Sequence, residues 1–173
     1  NAANWYNRAS TAPVAWNAAG GPDGGAYVST TLNFIEFFSA GQAPALFRAQ
    51  DEFGSSNNAL VGDWIADGVD QFSYWVRHDA PVSMQFFARY ASPVNFPAAD
   101  SVSSFFIEPN VWTHVTFPIP DPNFLFEGPF TFEDVFHNIG HVQAGLLVPQ
   151  QLVGVDATYN FGFDKASIIP EPA

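Results

Sequence analysis

The chain has 173 residues, 17 of them acidic and 5 basic, giving a formal net charge of -12, and it has no cysteine. Its only full-time cations are Arg8, Arg48, Arg77, Arg89 and Lys165, too few to neutralise a phosphate backbone or bind an anionic membrane surface, so nucleic acid and lipid are poor partners. The missing thiols exclude a disulfide framework, a thiolate nucleophile and a thiolate metal site, while 47 % hydrophobic and 17 % aromatic residues exclude disorder and suit one packed domain.

Residues 1–16 carry Trp5, Tyr6, Val14 and Trp16 ahead of a Gly-rich turn. They are expected to dock on the chain's own sheet or on that of a neighbouring subunit. Beyond them, 14 Pro and 13 Gly leave little room for long helices. Period-two runs at 26–34, 45–49, 71–77, 81–90, 103–107, 111–119, 141–148 and 159–168 predict about eight short antiparallel strands. In 81–90, Val82, Met84, Phe86, Ala88 and Tyr90 share one face, opposite Ser83, Gln85, Phe87 and Arg89. In 111–119, Val111, Thr113, Val115, Phe117 and Ile119 face away from Trp112, His114 and Thr116. The one predicted helical turn is 131–136, where Thr131 and Asp134 have the spacing of a capping box. No repeat or low-complexity linker divides residues 17–169, which read as a single all-β domain of sandwich or barrel type. No apolar run reaches the roughly 18 to 20 residues of a membrane helix, and the N-terminus lacks the regions of a signal peptide, so the chain reads as soluble.

The run Gly20-Gly21-Pro22-Asp23-Gly24-Gly25-Ala26-Tyr27-Val28-Ser29 resembles the entry to the first strand of laminin-B-like and carbohydrate-binding-module-like jelly rolls. The likeness continues through Gly62-Asp63-Trp64, residues 68–78 and residues 112–117. Residues 159–168, with Asp164 ahead of the final apolar pair, are similar to the last strand of galactose-binding-like β-sandwiches. The resemblance implies a jelly-roll sandwich, and it implies a structural calcium held by Asp23 and Asp164 with Asp156 as a third ligand. Solvated turn acids are the alternative for these residues. Residues 170–173 look like the start of the Pro-Glu-Pro sorting signal of exported bacterial proteins, which implies a secreted or cell-surface location.

Other constellations point less far. His137 and His141 are four apart with Glu133 and Asp134 upstream, a spacing that would hold zinc on a helix. Gly140 argues against a helix there, so the expectation is two exposed loop histidines. Asp51 and Glu52 form a further acidic pair without EF-hand spacing. No acid stands in a recognisable glycosidase motif, Gly-x-Ser-x-Gly is absent, and so is a phosphate loop, so the chain is expected to be no enzyme. Flat rings stack on sugar faces. Trp75 with Arg77, out of phase with Phe72, Tyr74 and Val76, and Trp112 with His114 are therefore the candidate ligand-binding residues. The expected function is a binding module for polysaccharide or another surface ligand. The alternative is a self-assembling subunit of an extracellular fibre, sheet or matrix, with copies of itself as partner.

Overall fold

Short runs of alternating apolar and polar residues, broken by Gly and Pro, pair into sheets because each run can bury only one face. The computed structural model describes residues 4–9 and 13–170. Among these it has ten strands: β1 (Ala15–Asn17), β2 (Tyr27–Asn33), β3 (Ala45–Gln50), β4 (Val69–His78), β5 (Phe86–Ala91), β6 (Ala98–Val102), β7 (Thr113–Pro118), β8 (Leu125–Phe126), β9 (His141–Leu146) and β10 (Thr158–Pro170). One antiparallel sheet has the order β1-β2-β10-β4-β7 and the other the order β3-β9-β5-β6-β8. This is an all-β sandwich, one of the two architectures that the pattern allows, in the jelly-roll form that the resemblance implies.

The inward residues of the two sheets meet in one aromatic core. Phe72, Tyr74 and Val76 of β4, Phe161 and Phe163 of β10, Phe86 and Tyr90 of β5, and Val142 and Leu146 of β9 are all buried there. Phe163 is its hub, with ring centroids 4.6 Å from Phe47, 4.8 Å from Trp5 and 5.1 Å from Tyr74. The Tyr74 hydroxyl crosses the core to donate to the Phe87 carbonyl at 2.9 Å, which ties β4 to β5. With no disulfide available, such ring contacts, each adding roughly 0.5 to 1.5 kcal/mol beyond area burial, hold the two sheets in register.

The 131–136 turn is helix α1 (Phe132–Phe136). The Asp134 amide donates to Thr131 Oγ1 at 3.3 Å. The Thr131 amide and hydroxyl donate to Asp134 Oδ2 at 2.8 and 2.9 Å and hold the Asp134 carboxyl below its usual range.

Two details differ from the sequence pattern. Residues 103–107 are not a strand; Ser103 Oγ accepts from the Phe86 amide at 3.1 Å and donates to the Phe105 carbonyl at 2.9 Å, ending the ladder. The strand lies just upstream, at β6, whose Ala98, Ala99 and Asp100 have weak intrinsic strand preference and are held by pairing with β5.

Ahead of β1, Trp5 is fully buried and its Nε1 donates to Ser56 Oγ at 2.8 Å. Tyr6 exchanges two backbone bonds of 2.9 Å with Arg48 on the outer edge of β3. Glu171, Pro172 and Ala173, which carry the sorting-signal resemblance, lie outside the described residues.

Candidate functional site

The ring-bearing residues singled out from the sequence meet on the outer face of the first sheet. Antiparallel pairing of β4 with β7 sets Trp75 opposite His114, and their rings stack with centroids 5.1 Å apart. Trp112 reaches across the sheet, fixed by its Nε1 donating to the Gly20 carbonyl at 2.8 Å, and meets Tyr27 edge-on at 5.2 Å. Glycine at position 162 makes this possible, because a Cβ there would come within 2.8 Å of the Trp112 ring. Arg77 lies beside this platform, in a shallow hollow with Tyr27, Asp79 and Asn160. The four residues therefore share one face.

The three acids assigned to calcium do not converge. Asp23 Oδ2 is taken by Lys165 Nζ at 2.8 Å, and Asp23 Oδ1 accepts from the Gly25 amide at 3.0 Å. These contacts hold its carboxyl below the usual range and raise the Lys165 ammonium. Asp164 Oδ1 accepts from the Lys165 amide at 2.8 Å. Asp156 sits just ahead of β10, accepting from Asn33 Nδ2 at 3.0 Å, roughly 25 Å of extended chain from Asp164. Lys165 Nζ thus stands beside Asp23, while Asp156 lies ahead of β10 and Asp164 in the middle of it.

Of the two histidines expected to be exposed, one is corrected. His137 is exposed, as expected, and pairs with Asp63 at 2.8 Å, whereas His141 opens β9 and is buried. His141 Nε2 lies 3.0 Å from Glu52 and 3.6 Å from Asp51, so its partners come from the acidic pair after β3 rather than from His137.

A second site, missed in the sequence, crosses the outer face of the other sheet. Register places Arg48 of β3 opposite Gln143 of β9, Gln143 opposite Arg89 of β5, and Arg89 opposite Asp100 of β6. These four side chains form a polar row along the floor of a trough of about 340 Å³, within the size range of small-ligand sites. Arg89 chelates Glu127 through Nε and Nη2 and donates from Nη1 to Asn95 Oδ1 at 2.8 Å. Its guanidinium lies 5.6 Å from the exposed Phe96 ring at the rim. The next row along the strands holds Phe87 over Gly145, where any Cβ would strike the Pro44 carbonyl at 2.2 Å and the Phe87 ring at 2.5 Å. Gln143 is only 3 % exposed and its Nε2 has no partner among the described residues.

Burial and the adjacent Glu127 push the Asp100 carboxyl up to about 6, partly opposed by Arg89. An acid with a raised folded-state pKa holds a proton that the unfolded chain has already lost, so stability falls as pH rises from about 4 to about 6. Asp100→Asn is expected to flatten that fall and to gain on the order of 1 to 2 kcal/mol above pH 6, allowing for partial exposure. Thermal melts of both proteins from pH 3.5 to 8 check this; parallel curves would contradict it.

No family model matches this sequence, and no curated protein does either. Solved structures do. The chain superposes with a TM-score of 0.52 and 12% identity on the family 11 carbohydrate-binding module from Clostridium thermocellum in complex with a beta-1,3-1,4-mixed-linked tetrasaccharide, covering 98% of this chain and 91% of that one. The sandwich is the fold of carbohydrate-binding modules. Two larger proteins also match: an exo-beta-agarase, with a TM-score of 0.60, 11% identity and 99% of this chain covered, and the CBM22-1-GH10 modules of a Clostridium thermocellum endo-1,4-beta-D-xylanase complexed with xylohexaose, with a TM-score of 0.57, 13% identity and 98% covered. The match spans about a quarter of each of those two chains, 23% and 26% respectively. Among the described residues no helix is long and apolar enough to cross a membrane.

Proposed function

We propose that this protein is a non-catalytic polysaccharide-binding module whose ligand lies in the trough across β3, β9, β5 and β6. The observation that carries the reading is the row from Arg48 through Gln143 and Arg89 to Asp100, in register across four strands. It offers donors and acceptors over a length of about 14 Å, three strand spacings, and it includes a buried amide donor with no partner among the described residues. A sugar chain presents hydroxyl groups along such a length, whereas a compact metabolite does not. The fold's likeness to a module complexed with a tetrasaccharide supports the same reading. The acidic, lysine-poor composition suits an exported protein acting at a cell surface or in a matrix.

A second place for the chain is the platform of Trp75, His114, Trp112 and Tyr27, favoured by the stacked pair and its neighbouring edge-on pair. Affinity electrophoresis through gels containing soluble plant, algal and microbial polysaccharides distinguishes the two. At least one polysaccharide is expected to retard the protein without releasing reducing ends. Gln143→Ala should lose that retardation by about tenfold or more in affinity, while Trp75→Ala and Trp112→Ala retain it. The opposite pattern would move the site to the ring platform, and no retardation on any polysaccharide would refute the module reading.

A further inference from the structure

Three of the five full-time cations of this acidic chain border one depression: Arg8, Arg48 and Arg89. Two of them are already neutralised, Arg89 by Glu127 and Arg8 by Glu36. Arg48 is different. It stands on the saddle between the trough and the hollow lined by Arg8, Thr31 and Glu36. Among the described residues its guanidinium makes one hydrogen bond, from Nε to the Arg8 carbonyl at 2.9 Å, and meets no carboxylate. Burial first, and then the charges of Arg89 and Arg8, push its guanidinium down from its ordinary value. Asp100, the free acid of the same row, is three strands away, about 14 Å.

Beside Arg48 in register lies Gln143, whose buried Nε2 has no partner among the described residues. A half-buried guanidinium that meets no carboxylate there and a buried amide donor without an acceptor thus stand side by side, two donors for one acceptor group. A neutral hydroxyl oxygen would satisfy the amide but leave the guanidinium charge uncompensated. A carboxylate satisfies both, since its two oxygens accept charge-assisted bonds and match the guanidinium fork. The net charge of -12 does not prevent this, because acids farther than about 8 Å are largely screened at physiological salt.

We infer that the Arg48 end of the trough takes a carboxylate carried on the sugar chain, so that the ligand is an acidic, uronate-bearing polysaccharide. This rests on the reading of the trough as the glycan site. Arg48 supplies the counter-charge, Gln143 Nε2 the second donor, and the Arg89, Asn95 and Asp100 end takes neutral hydroxyls.

The test uses the whole protein and two matched ligands, oligogalacturonate and the same oligosaccharide after reduction of its carboxyl groups to alcohols, measured by calorimetry. Oligogalacturonate is expected to bind ten- to a hundredfold more tightly than its reduced form. Arg48→Gln should abolish most of that preference, weakening oligogalacturonate at least tenfold more than the reduced chain. Because Arg48 also touches the N-terminal segment, Gln143→Met, which removes the donor and keeps the volume, serves as the second variant and should lower the preference by several fold. Equal or tighter binding of the reduced chain overturns the uronate inference and leaves the module reading standing. An unchanged preference in both variants refutes the role given to these residues. Binding of neither oligosaccharide overturns the inference, and the electrophoresis panel then decides whether the module reading falls with it.

Discussion

Replacing Phe163 by alanine is expected to cost about 3 to 5 kcal/mol of stability, the range for truncating a fully buried aromatic side chain. No other described side chain touches both sheets and the N-terminal segment through three rings at once: Phe47 of β3, Tyr74 of β4 and Trp5. The cavity left by alanine cannot be refilled from one side, because Phe47 and Tyr74 sit on opposing sheets fixed by their own ladders. Chemical denaturation at constant pH measures the loss. A loss under about 1 kcal/mol would show that the core closes over the gap and that the ring cluster is less rigid than its geometry indicates.

The second large effect lies in the trough. Arg89→Ala is expected to destabilise the protein by about 3 kcal/mol near pH 7, because the Arg89 and Glu127 side chains are only 11% and 30% exposed and removing one partner strands the other's charge. The variant also leaves Glu127 facing Asp100, whose carboxyl is raised to about 6 even with the arginine present. Without the arginine's opposing charge the Asp100 carboxyl rises further. The deficit should shrink as pH falls toward 5, since protonation of Asp100 removes its charge from beside Glu127. Arg89→Ala combined with Asp100→Asn should recover part of the loss at pH 7. A pH-independent deficit, or a double variant no better than the single, would show that the lost contacts to Asn95 and Phe96 dominate instead.

The legible part of the fold is the part governed by alternation. β4 shows it plainly: Phe72, Tyr74 and Val76 point inward, and Trp75 and Arg77 stand out of phase on the other face. The same holds for β5, β7 and β10. β6 escaped because Ala98, Ala99, Asp100 and Ser101 carry almost no strand signal of their own; the neighbouring strand imposes the conformation. The trough was hidden for a related reason. Arg48, Gln143 and Arg89 each appear as one polar residue in an otherwise apolar run, and that signal is visible in each run separately. Their convergence depends on the order β3-β9-β5-β6, which brings residue 143 between residues 48 and 89 and is not written in any local pattern. At His141 the alternation and the motif disagree. Residues 141–148 read as a strand, which begins there, and its first residue is buried rather than exposed as the histidine pair suggested.

The last strand follows the expected course, with Asp164 in β10, yet the following residue is a lysine whose ammonium reaches Asp23 across 142 positions of sequence. A single cation from the chain itself joins the entry of the first sheet to its last strand, where the resemblance implied a metal.

The two backbone bonds between Tyr6 and Arg48 bear on solubility as well as on the trough. β3 is an outermost strand of its sheet, and an uncovered row of amides and carbonyls there would invite a strand from a neighbouring molecule. The N-terminal segment occupies the middle of that edge. At the far side of the same sheet β8 has only two residues, and the other sheet begins with a strand of three, both too short to template a long pairing. Any association of copies by strand addition is thereby left to β7, where Pro118 lacks the amide that a continuing ladder requires.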